Sequence, residues 1–146
     1  MNKEAPNQAV GWVCLNSNQA EEQRLQTLME QELRLAASLQ TLSGRYARQK
    51  RTLRAMAADN LHSARELASA YFIMTGVQLT PEPAVPLSLS KAYEAALRNL
   101  YDELGALARQ YAESQTEDVC LQEIYRRAAE QLIAEQRLLR SLIAQL

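Results

Sequence analysis

The chain has 146 residues, a formal net charge of -1 and a pI near 5.9, so its overall charge gives no drive toward nucleic acid or an anionic membrane. That length suits one continuous core, and 47% of the residues are hydrophobic, with only four Gly and four Pro. Three of the prolines, Pro81, Pro83 and Pro86, fall together and leave the rest of the chain free for long helices.

Residues 1–18 read as an irregular arm. The apolar run Ala9 to Leu15 is interrupted by Gly11, and Lys3 is followed at once by Glu4. Neither a signal peptide nor a transmembrane span is expected. Asn16-Ser17-Asn18 then supplies cap-type residues. From Gln19 to Ser43, Leu25, Leu28, Met29, Glu32, Leu35, Ala36, Leu39 and Leu42 recur at three- and four-residue steps, which predicts a helix with one buried stripe. Gly44 is its stop signal.

The basic stretch Arg45 to Arg54 reads as a solvated interhelical turn. A second helix is predicted over residues 49–75, with Leu53, Met56, Ala57, Asn60, Ala64, Leu67, Tyr71 and Met74 on one face and Gly76 at its end. At about 1.5 Å per residue it is roughly 39 Å long. The Pro-rich connection that follows can reach roughly 46 Å when extended, enough to return along the bundle and permit a crossover. Residues 90–114 form the third predicted helix, with Leu97, Leu100, Glu103, Leu104, Leu107 and Tyr111 inward. The fourth runs from Glu117 to the end, with Ile124, Ala128, Gln131, Leu138, Leu139 and Leu142 inward.

Cys14 and Cys120 carry no CxxC or Cys/His spacing, so two free thiols in a reducing cytoplasm are expected rather than a disulfide framework. His62, the only histidine, stands three residues after Asp59, a spacing that suits a metal pair. The pair is turned by about 100° from Asn60, so a boundary histidine near Asp59 and Glu66 is the favoured reading and a metal ligand the lesser one. Tyr71, Tyr93, Tyr101, Tyr111 and Tyr125 read as core-edge residues whose hydroxyls reach water or a partner.

Shifting the chain by 71 places Glu32-Leu33 on Glu103-Leu104, Ala37 on Ala108, Ala57-Ala58-Asp59-Asn60-Leu61 on Ala128-Ala129-Glu130-Gln131-Leu132, and Leu67 on Leu138. The chain therefore reads as a duplicated helical hairpin, each half with a glutamate on its first helix and an acid–amide pair on its second. A glutamate on an apolar stripe costs free energy unless it is paired, protonated or ligated.

The stretch Ala58-Asp59-Asn60-Leu61-His62-Ser63-Ala64-Arg65-Glu66-Leu67, followed by Tyr71-Phe72-Ile73-Met74-Thr75-Gly76, resembles the second helix of the ferritin-like superfamily in its rubrerythrin-related branch. The resemblance covers nearly all of residues 22–146. It implies an all-α fold over residues 19–146: a ferritin-like four-helix bundle of two antiparallel hairpins joined by a long crossover. In that family single Glu residues on helices one and three, and Glu-x-x-His pairs on helices two and four, hold two irons. The matching positions here are Glu32, Glu103, Asn60 with Ser63, and Gln131 with Ala134. Four of these six positions have departed from the pattern, and amides and a serine are weak ligands for iron.

No metal or other cofactor is therefore expected, with iron or manganese as the alternative. Asn60, Gln131 and Ser63 are expected to hydrogen-bond Glu32 and Glu103 in a mid-bundle polar layer. The functional expectation is a non-catalytic structural or interaction protein of the cytoplasm. A homo-oligomer fits by family analogy; no nucleic acid and no membrane is expected, and no specific partner is identified. The alternatives are an oxidase-type metal site at Glu32 and Glu103, joined by His62, and a small-ligand binder in the vacated bundle centre.

Overall fold

The computed structural model describes residues 14–80 and 84–146. Among them lie four long helices: α1 (Gln19–Ser43), α2 (Lys50–Thr75), α3 (Tyr93–Glu113) and α4 (Val119–Ala144), with a 3-10 turn at Ala47–Gln49 before α2. No strand occurs among the described residues, and the chain is an all-α bundle. Residues 14–18 are non-helical; residues 1–13, which hold most of the expected arm and of its apolar run, and Pro81 and Pro83 lie outside the described residues.

Local chemistry sets the helix ends. The Asn18 side chain accepts from Glu21 N–H at 3.1 Å, capping α1. Asp118 caps α4, accepting from the backbone of Cys120 and Leu121 at 3.0 Å each. Gly76 ends α2 in the left-handed region at φ 76°, where a side chain would be strained. Gly44 ends α1 without that geometry, at φ -81°. The basic residues Arg45, Arg48, Lys50, Arg51 and Arg54 are all exposed, as expected, but only Arg45 and Arg48 lie in the interhelical turn; Lys50, Arg51 and Arg54 stand at the start of α2.

Helix α1 packs chiefly on α2 and α3 chiefly on α4, with lesser contacts between α1 and α3 and between α2 and α4. All four contribute to one apolar core, including Leu28, Leu39, Leu53, Leu67, Leu100, Leu104, Leu121 and Leu139. End contacts orient the helices. Gln26 on α1 donates to Tyr71 near the end of α2 at 3.4 Å. At the other end, Arg45 donates to the Ser90 carbonyl at 2.8 Å, and the Tyr93 hydroxyl donates to Gln49 Oε1 at 2.7 Å. Gln49 in turn donates to the Leu142 carbonyl at 2.9 Å. The connection between α2 and α3 lies against α1, where Leu87 N–H donates to Ser38 Oγ at 2.9 Å.

The stripes of α1 and α2 are buried as the spacing predicts, with Tyr71 only half-buried. Those of α3 and α4 differ. Glu103 is exposed, and the inward residues of α4 are Leu121, Tyr125, Ala128, Leu132, Glu135, Leu139 and Leu142, while Leu138 is 45% exposed. The expected stripe mixed this row with Ile124, Gln131 and Leu138, which lie one residue to its side, a rotation of about 100°.

A second correction concerns the cysteines. Cys14 and Cys120 form a disulfide across a sequence separation of 106. Residues so distant leave no spacing pattern; folding brings the arm to the start of α4, where Leu15 N–H donates to Asp118 Oδ2. The expectation of two free thiols is thus overturned.

In the chain-entropy account, closing a loop of this length stabilises the fold by about 4–5 kcal/mol. Reduction, or Cys14→Ser, is expected to lower unfolding free energy by about 3–5 kcal/mol. Urea unfolding with and without reductant measures this; a Cys14→Ser midpoint equal to that of the oxidised protein contradicts it.

Candidate functional site

The centre of the bundle holds a hydrogen-bonded polar layer drawn from all four helices. Glu32 on α1 is fully buried, and both of its oxygens are engaged. Asn60 Nδ2 on α2 donates to Oε1 at 2.9 Å, and the Tyr111 hydroxyl on α3 donates to Oε2 at 2.7 Å. The fourth helix contributes Glu135, also fully buried. Gln131 Nε2 reaches Glu135 Oε2 at 3.5 Å and donates to Asp59 Oδ2 at 3.1 Å, linking the layer to the exposed surface of α2.

The expected residues separate into two groups. Glu32 and Asn60 meet as anticipated. Ser63 is buried on α2, but no hydrogen bond joins it to Glu32. Gln131 is half-buried and serves Asp59 and Glu135 rather than Glu103. Glu103 lies in an exposed surface groove between α1 and α3, beside Leu87 and Gln110, so it is no member of the layer. Ala134 is exposed on α4, and His62 is exposed on α2. Because Ala134 points outward, it does not share a central cavity with Ser63. Glu66, expected beside His62, pairs with Arg127 at 3.4 Å.

Glu135 and Tyr111 are the site residues that sequence reasoning missed. A pairing of the halves one residue longer finds the first of them. It places Leu25 on Leu97, Leu28 on Leu100, Leu35 on Leu107, Met56 on Ala128 and Leu67 on Leu139, buried residue on buried residue. On that register Glu32 matches Leu104, Asn60 matches Leu132, and Ser63 matches Glu135. Tyr111 matches Leu39. Its hydroxyl alone marked it, and that hydroxyl does find a buried partner.

The electrostatics follow from burial. Desolvation raises the Glu32 carboxyl to about 7, although the Tyr111 and Asn60 hydrogen bonds pull it down. Glu135 is raised to about 8, by desolvation first and then by the charge of Glu32; Gln131 and Asn60 oppose the shift, and Asp59 adds slightly to it. The Tyr111 hydroxyl is pushed well above its usual range by burial and by Glu32, so it remains a donor. Asn60 Oδ1 and Glu135 Oε1 are buried with no donor. A proton on Glu135 supplies a donor to a layer otherwise rich in acceptors.

A smaller polar group occupies one end of the bundle. The Tyr125 hydroxyl donates to buried Glu21 at 3.3 Å, and Arg24 pairs with the same carboxylate oxygen at 3.0 Å. Tyr125 also packs on Tyr111, with ring centroids 5.9 Å apart, so the end group and the central layer are in contact.

No known family, curated protein or solved structure matches this chain. Among the described residues no helix is long and apolar enough to cross a membrane.

The raised carboxyls set the pH dependence. Each binds its proton more tightly folded than unfolded, so its stabilising contribution is fully present below the unfolded value of 4.5 and is lost as pH rises through about 7 and about 8. At about 1.4 kcal/mol per pKa unit, stability is expected to fall by several kcal/mol between pH 5 and pH 9. Glu135→Gln keeps the shape and removes the acid, and is expected to add about 2 kcal/mol or more at pH 8 while changing little at pH 5. Urea titrations of both proteins across this range test the point; parallel pH profiles contradict it. Glu103→Ala, at an exposed position, is expected to shift stability by less than about 0.5 kcal/mol.

Proposed function

We propose that this chain is a ferritin-like four-helix bundle whose di-metal centre has been replaced by a hydrogen-bonded polar layer, and that it serves as a non-catalytic structural or interaction protein. One observation carries the reading. Both oxygens of Glu32 are occupied by donors, Asn60 and Tyr111, at hydrogen-bonding distances of 2.9 Å and 2.7 Å. Two neutral donors satisfy this carboxyl in its buried site, so no cation is needed to offset its desolvation.

The end contacts support the ferritin-like topology. Arg45 with Ser90 and Tyr93 with Gln49 put the start of α3 beside the α1–α2 turn, while Gln26 with Tyr71 puts the end of α2 beside the start of α1. Two antiparallel hairpins joined by a long crossover along α1 satisfy all three. On the register set by burial, the family's six ligand positions correspond to Glu32, Asn60, Ser63, Leu104, Leu132 and Glu135. Two carboxylates and no imidazole stand among them. This donor set is poorer than the one that holds iron or manganese in the family, and the residues present do not fit a di-metal centre.

The interaction reading draws support from the outer face of α2. Phe72 is 49% exposed and Ile73 63%, and with Leu79 they line one surface groove. An exposed apolar group of this kind suits contact with another protein.

The protein purified with its disulfide intact and without chelator is expected to carry no stoichiometric iron or manganese. Elemental analysis checks this; one or more such ions per chain, lost on Glu32→Ala, overturns the proposal. Asn60→Leu removes a donor to Glu32 and is expected to destabilise the fold by about 2–4 kcal/mol, more at pH 9 than at pH 5, because the ionised carboxylate loses its partner. A stability unchanged by Asn60→Leu, measured by urea unfolding at both pH values, counts against the polar layer.

A further inference from the structure

The start of α4 holds a second group of chemistry-bearing residues, remote from the central layer. Cys14 Sγ, Cys120 Sγ and a carboxylate oxygen of Asp118 lie within 4.8 Å of one another. The disulfide is not all that gathers them. Asp118 Oδ2 accepts from Leu15 N–H, beside Cys14, and Asp118 Oδ1 accepts from Cys120 N–H at 3.0 Å. One carboxylate therefore holds the backbone next to both cysteines through bonds that do not include the S–S bond. Leu15 turns the chain back toward α4 at φ 57°, a conformation that L side chains rarely adopt.

We propose that reduction converts this staple into a binding site for a soft divalent cation of the zinc class, with Cys14, Cys120 and Asp118 as ligands. A dithiol reductant delivers two electrons and two protons to the disulfide and itself becomes a disulfide, leaving two thiols. On metal binding each thiol releases its proton to solvent and bonds to the cation as a thiolate. Cys120 is the second residue of α4, where the positive end of the helix favours the thiolate. Two thiolates select zinc over magnesium or calcium, which prefer all-oxygen shells. Three protein ligands with water as the fourth complete a tetrahedral shell. The oxidised and reduced forms then tie the arm to α4 by different means, a covalent bond or a metal bridge.

The site is separate from the bundle centre, so its test does not depend on the reading given above. The full chain is reduced with a phosphine, freed of reductant anaerobically, and titrated with cobalt and then with zinc against a chromophoric chelator. Reduced protein is expected to bind one ion per chain with a thiolate-to-cobalt charge-transfer band, and oxidised protein none. Cys14→Ser and Cys120→Ser are each expected to weaken zinc binding by more than about tenfold, and Asp118→Asn, which preserves the helix cap, by about tenfold. Glu32→Ala is expected to leave zinc binding unchanged. Helical circular dichroism of every variant is compared with that of the reduced parent. Zinc binding no tighter in the reduced parent than in the oxidised one overturns the proposal, whether or not the reduced chain keeps its helicity. Stoichiometric binding that persists in Cys14→Ser overturns it as well.

Discussion

The buried carboxyl of Glu32, set inside a leucine core, is the constraint around which this bundle is arranged. Glu32 has no access to water, so its stability rests on two donors brought from two other helices, Asn60 on α2 and Tyr111 on α3. A donor must arrive with the right direction as well as the right distance. Leucine pairs tolerate rotation about a helix axis; an amide and a phenol aimed at opposite oxygens of one carboxylate do not. The layer therefore sets the rotation and height of three helices at once, and the bond from Gln131 to Asp59 ties α4 to α2. Buried polar groups of this kind contribute little net stability, because desolvation offsets much of their attraction. Here they define which helix faces meet.

The rest of the polar interior follows the same rule at the bundle ends. Glu21, Arg24 and Tyr125 group at one end, and Gln49, Tyr93 and the Leu142 carbonyl at the other. Each group joins elements far apart in sequence. Tyr111 packs on Tyr125, so the central layer and one end group share an aromatic contact. Between the layers the core is built from leucine, alanine and methionine. Alternating polar and apolar slabs give the bundle a register along its axis that an all-leucine interior lacks.

Much of this was legible in the sequence, but unevenly. The stripes of α1 and α2 are unambiguous because no rival row of apolar residues competes with them, and Glu32 and Asn60 could be placed on them directly. In α3, Glu103 and Leu104 are neighbours, and the pattern Leu97, Leu100, Leu104, Leu107, Tyr111 already selects Leu104. The apparent match of Glu32 to Glu103 pulled the register one residue away. In α4 the row Ile124, Gln131, Leu138 rivals the true one, and only by counting from Leu121 to Leu142 in alternating steps of four and three is Glu135 reached. Tyr111 could be assigned to the core but not to Glu32, since a hydroxyl carries no sign of its partner. The disulfide was invisible for a different reason: a contact between residues this distant depends on the whole fold.

That disulfide also determines how the molecule bears load. The covalent ring from Cys14 to Cys120 encloses α1, α2 and α3, leaving nearly all of α4 outside it as a tail. Tension applied between the arm and the C-terminus passes through the sulfur bridge directly into α4 and bypasses the three enclosed helices. Only that 26-residue helix can be peeled away while the bond is intact, so the extension released, extended chain less folded helix, is capped at roughly 50 Å. With the bridge opened, the same pull is carried through the whole chain. Chemical state at two sulfur atoms thus decides whether the protein behaves under strain as a short tether or a long one.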